Sequence, residues 1–356
     1  MPRFLGRRSL SRNAKDEHYH CFSGLSGVCL LKVAVIIAGY NAEKTIARAI
    51  RSALAQNEVA EVMVVDDAST DRTLEVAKNC DDGTGRLTIL AQPFNQGPAA
   101  ARNRGIKAST SPFISILDSD DVILDGRFAD MLKSDDLDMI ADDIVFVSEK
   151  LSLNEALPQI RRQPGHLATL ELAQFVLGSI PRKGFFGREL GFLKPVIRRA
   201  FLEEKDIYFA EAMRLSEDYE LYCRLMIAGG RFKIFSKCGY LAFEREGSLS
   251  SVHSVHDLEQ ILAANAQLLA NPSLTVAQRA AISQHQAYHR DKTNYRRILE
   301  VKKAEGYSKA LAWIVRNPDA LASTLKFWLT DKMRGLVSDQ AEKSKSGILR
   351  YLLTDM

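Results

Sequence analysis

Two short apolar runs, each ending in a cluster of carboxylates, constrain this chain more than any other feature. Val64-Val65 leads into Asp66-Asp67-Ala68-Ser69-Thr70-Asp71, and Ile114-Ser115-Ile116-Leu117 leads into Asp118-Ser119-Asp120-Asp121. A short β-branched run bounded by polar residues is a buried strand. Carboxylates at its C-terminal end lie on the sheet edge where open α/β sheets take their ligands. Like charges gathered there repel one another unless a cation or hydrogen-bond donors neutralise them. The pattern predicts a divalent cation holding a phosphorylated ligand.

The surrounding pattern supports such a sheet. Strands are expected at 33–38, 62–65, 87–90 and 113–117. Between them Ile46, Ala49, Ile50, Ala53 and Leu54 recur at helical spacing, as do Leu74, Val76 and Ala77, and Gly97 opens an Ala- and Arg-rich helix to Ala108. Asn41, and Ser69 or Thr70, are expected helix caps. This alternation predicts βαβ units and a mostly parallel, covered sheet. Farther on, 144–147 is another apolar run, 184–192 an irregular glycine-rich loop, and 217–228 an amphipathic helix ended by Gly229-Gly230. Short strands follow at 232–235 and 240–243. From Asp257 helical patterns dominate and basic residues gather, among them Arg290, Lys292, Arg296, Arg297, Lys302, Lys303, Lys309 and Arg316. Three segments are expected: an extension over 1–31, an α/β domain over 32–255 and a basic helical region over 256–356.

Composition narrows the class. With 356 residues, 46% apolar and 26% charged, the chain is an ordinary globular protein. A net charge of +4 is too small to indicate nucleic acid. Cys21, Cys29, Cys80, Cys223 and Cys238 are odd in number and lack zinc-type spacing, which predicts reduced thiols in a cytosolic protein. No apolar run approaches the roughly 20 residues of a membrane span. The basic first 31 residues hold only a short apolar patch, Val28 to Leu31, and form a ragged extension, not a targeting signal.

Familiar nucleotide motifs are absent. There is no phosphate loop of the G-x-x-x-x-G-K-[ST] type, and Thr88 stands where Gly83-Thr84-Gly85 would need a third glycine. Carboxylate-bound Mg²⁺ or Mn²⁺ is the natural substitute. Asp118 and Asp120 point the same way in extended chain and suit that task, or they form a solvated acidic turn. Asp66 and Asp67 can accept from a base imide or ribose hydroxyls, or cap a helix. Asn95-Gln96-Gly97 leads into a helix N-terminus, and Arg102 within that helix reaches a ligand or pairs with an acidic cluster. Glu217-Asp218 suits a helix N-terminus electrostatically, or supplies a general base. His253 and His256 are candidate metal or phosphate contacts.

In order and spacing, 33–41, 66–71, 95–103, 118–121 and Glu217-Asp218 resemble the family 2 glycosyltransferases over about residues 32 to 255. Residues 60–71, Asp82-Gly83-Thr84-Gly85-Arg86-Leu87 and 97–103 look most like bacterial exopolysaccharide glucosyltransferases of the succinoglycan pathway. The resemblance implies an α/β GT-A fold, Rossmann-like with a mostly parallel central sheet, plus a C-terminal helical region. It implies inverting, metal-dependent transfer of one sugar, glucose, from a UDP-sugar to a lipid-linked oligosaccharide. Carried over by position, it places Ala38, Tyr40, Asn41, Asp66, Asp67, Asn95, Gly97, Arg102, Asp118, Ser119 and Asp120 at the nucleotide-sugar. It places Asp120, Asp121 and His253 at Mn²⁺ or Mg²⁺, and makes Asp218, beside Glu217, the base. Many relatives carry His just before the Ser-rich stretch, where this chain has Arg245-Glu246-Gly247-Ser248; His253 is the nearest substitute. The processive signature Q-x-x-R-W is absent, which points to single addition. The protein is expected in the cytoplasm. Its basic helices either lie on the cytoplasmic face of the anionic inner membrane or serve as a helical cap or dimer contact. Two rival readings are a sugar nucleotidyltransferase and a catalytically inactive component of an assembly complex. The first would need a basic glycine-rich loop where Gly39-Tyr40-Asn41-Ala42-Glu43 stands. The acceptor, linkage and oligomeric state stay open.

Overall fold

The computed structural model describes residues 32–353, apart from 134–136, 162–164, 182–188, 245–252, 319, 322–323, 326 and 328–348. The extension over 1–31 and most of the glycine-rich loop lie outside the described residues. Strands β1 (Val33–Gly39), β2 (Val59–Asp66), β3 (Leu87–Ala91) and β4 (Phe113–Ile116) alternate with α1 (Ile46–Leu54), α2 (Thr73–Lys78) and α3 (Pro98–Ala108). These strands are parallel, in the order β3-β2-β1-β4. β1 is buried almost throughout, which is why its sequence is a continuous apolar run.

The chain continues through β5 (Val122–Ile123), α4 (Arg127–Met131), β6 (Met139–Ser148), α5 (Leu153–Ala156), β7 (Leu167–Thr169) and α6 (Leu172–Gly178). Then come β8 (Val196–Arg198), α7 (Arg199–Lys205), α8 (Glu217–Ile227), β9 (Phe232–Glu244), α9 (Val255–Leu269), α10 (Val276–Glu305), α11 (Tyr307–Arg316) and β10 (Arg350–Tyr351). Beyond β4 the sheet becomes mixed: β8 runs antiparallel between β4 and β6, and β6 pairs parallel with β9. The two strands expected at 232–235 and 240–243 are one, β9. Register shifts around Asp142 and Asp143 of β6 absorb the polar interruption between them.

The antiparallel insertion of β8 matters most for the site. Ser115 pairs with Val196, so the residues just before β8 meet the C-terminal end of β4. Behind them the buried Arg127 guanidinium pairs with Asp142 at 2.8 Å, a charge neutralised where water cannot reach.

The composition change near residue 255 coincides with no gap in packing. Leu268, Leu274, Ala281, Ile282, Leu352 and Leu353 belong to the same core as β1 and β2. Tyr219 of α8 stacks on His285 of α10 at 4.1 Å and donates to Asn265 Oδ1 of α9 at 3.0 Å. Burial keeps His285 and His289 uncharged, lowering them to about 3 and about 2. Ser254 with Asp257, and Thr275 with Gln278, form capping boxes at the starts of α9 and α10.

β10 pairs with Val145 and Phe146 of β6, beyond Met139 and Ile140 that pair with β8, and Leu353 N and Ile144 N both donate to Asp143 Oδ1, at 2.8 and 2.9 Å. Burial pushes the Asp143 carboxyl up to about 6, against those backbone donors. Between about pH 4 and 6 the folded state therefore holds a proton that the unfolded state has released. The group's contribution to stability falls over that window and stays lost above it. Asp143→Asn, which keeps the acceptor oxygen, should match the wild type near pH 4 and exceed it by about 1–3 kcal/mol at pH 8 in urea unfolding. Equal stability at pH 8 would refute the assignment.

Candidate active site

The C-terminal ends of β1 and β2 are latched together by their own turns. Asn41 N donates to Ser69 Oγ at 3.0 Å, Thr70 N to Asn41 Oδ1 at 2.9 Å, and Ala42 N to Thr73 Oγ1 at 2.7 Å. Asn41, Ser69 and Thr70 thus join two turns and do not cap helices: α1 starts at Ile46 and α2 at Thr73. The latch holds Asn41 and Ala68 at φ +49° and +60°, a conformation that non-glycine residues rarely adopt. Tyr40, 52% exposed, follows the buried Gly39 and half-buried Ala38 at the end of β1.

The adjacent carboxylates Asp66 and Asp67 have different surroundings. Asp67 accepts from Gln92 Nε2 at 2.7 Å, Gln96 N at 2.8 Å and Gly97 N at 2.8 Å, while its backbone carbonyl accepts from Asn95 Nδ2 at 3.2 Å. It holds the loop that opens α3, where Gly97 takes φ +89°. Asp66 Oδ2 accepts one long bond from Ser69 N at 3.3 Å, and its Oδ1 is buried without a hydrogen-bond partner.

A buried charge cluster lies at the ends of β4 and α8. Arg102 of α3 donates to Glu217 Oε1 at 2.5 Å and Asp118 Oδ1 at 2.9 Å. Lys194, just before β8, reaches Asp218 Oδ2 at 2.6 Å and Asp118 Oδ2 at 3.0 Å. Three carboxylates thus share two cations, which leaves one negative charge in excess. Although burial opposes its charge, Asp118 is held well below the usual carboxylate range by Lys194 and Arg102; the carboxylates in turn raise Lys194 and Arg102. Asp218 Oδ1 is buried with no hydrogen-bond partner, and the nearest Arg102 nitrogen stands 3.7 Å away. Sequence reasoning found Arg102, Asp118, Glu217 and Asp218 but missed Lys194. The available signal was one cation within the apolar run Phe192-Leu193-Lys194-Pro195-Val196-Ile197.

The turn 118–121 is fastened to β9. Tyr240 OH donates to Asp121 Oδ2 at 2.8 Å and accepts from Asp118 N at 3.1 Å, and Phe243 N donates to Asp121 Oδ1 at 3.0 Å. Burial, then the nearby Asp120 and Asp118, push the Asp121 carboxyl well above its ordinary range. Ser119 and Asp120 are half-buried, and Arg48 donates to the Asp120 carbonyl. Among the described residues, no three His, Cys, Asp or Glu side chains converge as a cation cage. His253 Nδ1 lies 3.5 Å from the Lys292 ammonium, which opposes a cation there. His256, the other histidine considered, is exposed on α9. This donor set fits a cation carried by Asp120 together with a diphosphate's own oxygens. It does not fit a protein cage drawn from Asp120, Asp121 and His253.

The family model for Glycosyl transferase family 2 matches residues 34–187. The chain is 42% identical over 300 residues to the Succinoglycan biosynthesis protein ExoU of Rhizobium meliloti (strain 1021), spanning 84% of this chain and 87% of that protein. Among solved structures it is similar to Staphylococcus aureus TarS 1-349 in complex with UDP-GlcNAc, with a TM-score of 0.58 and 23% identity over 82% of this chain and 81% of that one. It is also similar to the mannosyltransferase PcManGT from Pyrobaculum calidifontis in complex with GDP-Man and Mn²⁺. There the TM-score is 0.51 and the identity 16%, over 89% and 88% of the two chains. At these identities the two structures speak for the fold.

The contrast between the neighbouring carboxylates is measurable. Asp67→Ala removes a charged acceptor from three donors and should cost at least about 3 kcal/mol in urea unfolding. Asp66→Asn loses little bonding and should cost under about 1 kcal/mol. Equal losses would show that Asp67 is not the structural member of the pair.

Proposed function

Because the chain belongs to glycosyl transferase family 2, we propose that it moves one sugar, glucose, from a UDP-sugar to a lipid-linked oligosaccharide. The product is the lipid-linked oligosaccharide lengthened by one sugar, a step in synthesis of a succinoglycan-type exopolysaccharide, and transfer inverts the anomeric carbon. The similarity to ExoU supports the pathway, and the UDP-GlcNAc held by TarS supports a nucleotide-sugar donor. The observation that carries the chemistry is Asp218, whose Oδ2 is tied to Lys194 while its Oδ1 is buried without a hydrogen-bond partner, 3.7 Å from Arg102.

At the nucleoside end, Asp66 Oδ1 accepts from the uracil imide or a ribose hydroxyl beside Tyr40. An Mg²⁺ or Mn²⁺ ion, when bound, would be held by Asp120 and would neutralise charge on the departing diphosphate. An acceptor hydroxyl is a poor nucleophile until its proton is removed. Asp218 Oδ1 takes that proton as the oxygen bonds to the anomeric carbon. The bond to the diphosphate breaks with its electron pair leaving on UDP. One displacement from the opposite face inverts configuration and needs no covalent sugar–enzyme intermediate. Asp218→Asn keeps the shape but cannot take the proton, so kcat should fall about 10²–10⁴-fold with donor affinity nearly unchanged. The linkage formed from an α-linked donor should be β. Near-normal turnover in Asp218→Asn, or an α-linked product, would overturn the base assignment.

The same reading places the protein on the cytoplasmic face of the inner membrane. No helix among the described residues is long and apolar enough to cross a membrane. Tyr307, Leu311 and Val315, one helical turn apart on α11, are instead 76%, 63% and 73% exposed. Lys302, Lys303, Lys309 and Arg316 flank them, a composition that suits an anionic bilayer. The protein should float with anionic vesicles at low salt. Leu311→Asp with Val315→Asp should reduce the bound fraction at least about tenfold, since each buried side chain contributes about 1.5–3 kcal/mol. Unchanged flotation, or loss of a dimer in sedimentation, would replace the bilayer with another partner.

A further inference from the structure

We infer that Lys194 is a positioning residue for the transfer step: it aims the Asp218 carboxylate and ties it to the turn 118–121. The inference rests on the reading of Asp218 as the base, and goes beyond it in naming what holds the base in place.

The backbone at Lys194 is gripped from two sides. Tyr222 OH donates to the Leu193 carbonyl at 3.1 Å, and Arg127 Nη2 donates to the Lys194 carbonyl at 2.6 Å. Both gripping side chains are buried, and Arg127 is itself fixed by Asp142. Pairing of Ser115 with Val196, continued by two residues, sets Lys194 opposite Leu117, next to Asp118. Only 7% of the Lys194 side chain is exposed, and its ammonium spans Asp118 Oδ2 and Asp218 Oδ2.

Two consequences follow. With Oδ2 fastened, rotation of the Asp218 carboxylate is blocked, and Oδ1 is the oxygen left for the acceptor. One ammonium held by both Asp118 and Asp218 also sets the spacing between the donor turn and the base. Arg102 also pairs with Asp218, at 3.7 Å from Oδ1, but its hydrogen bonds go to Asp118 and Glu217, so within the cluster Lys194 is the cation hydrogen-bonded to Asp218. A reacting group displaced by about 1 Å can lose about 10²-fold in rate.

The test compares Lys194→Ala with Asp218→Asn in the full chain. Lys194→Ala should lower kcat about 10²-fold while KM for UDP-glucose and the Kd of UDP stay within about threefold. Propylammonium, which fits the vacated volume and restores the charge, should recover a substantial fraction of kcat. Propanol and tetramethylammonium should not. Lys194→Met with Asp118→Asn keeps the cluster's net charge and guards against a failure to fold. It should be folded by circular dichroism and still lack turnover. Near-normal kcat in Lys194→Ala beside an inactive Asp218→Asn would overturn the positioning role and leave the base reading standing. Loss of UDP binding in step with kcat would make the lysine a donor contact and overturn it too. Failure of both Lys194 variants to fold would make it a structural residue. An active Asp218→Asn would instead remove the base reading itself.

Discussion

Five charged side chains share one edge of the sheet, four of them buried and Asp118 half-buried, and the buried ones can stay there only together. Arg102 comes from α3, Asp118 from the end of β4, Lys194 from the approach to β8, and Glu217 and Asp218 from the start of α8. Removing one partner from a buried ion pair leaves an uncompensated charge, which typically costs about 3–5 kcal/mol. Each of these elements is therefore held in place partly by the charges of the others. Deeper in the sheet, the Arg127–Asp142 pair acts in the same way, and it fixes the backbone that delivers Lys194.

Within each acidic cluster the carboxylates divide their tasks. Asp67 ties down the α3 loop while Asp66 keeps an oxygen without a partner. Asp121 fastens the turn 118–121 to β9, and Asp118 is locked between two cations. Glu217 accepts a hydrogen bond from Arg102 while Asp218 Oδ1 accepts none. A cluster of carboxylates at a sheet edge is in this way partly scaffold and partly instrument. The cations and N–H donors that the scaffold members gather offset part of the negative charge around the remaining oxygens.

Much of this was legible in the sequence where local patterns decide the outcome. β1 to β4 and their helices follow from apolar runs and periodicity, because parallel strands buried on both faces have continuous Val and Ile. The acidic clusters were legible for the same reason. Short strands such as β5 and β8, of two and three residues, carry no periodicity and left no signal. Lys194 was hidden because antiparallel pairing brings it to Asp118 from far along the chain, a juxtaposition that spacing cannot reveal. Which member of the Asp66-Asp67 pair is structural was hidden too, since the answer lies in the backbone N–H groups of a distant loop. Composition changes near 255, and helices after that point contribute to the same core as the strands before it.

β10 closes against β6 through Asp143 and Leu353, which lie 210 residues apart in the chain. At a synthesis rate of about 5–20 residues per second, that separation corresponds to roughly 10–40 s between the emergence of the two partners. During this interval the side of β6 that carries Val145 and Phe146 lacks its covering strand. A bare strand edge of apolar residues is a template for pairing with other chains. Among the described residues this is thus the last seam of the sheet whose two partners have both emerged, and until then part of β6 stays open to pairing with another chain.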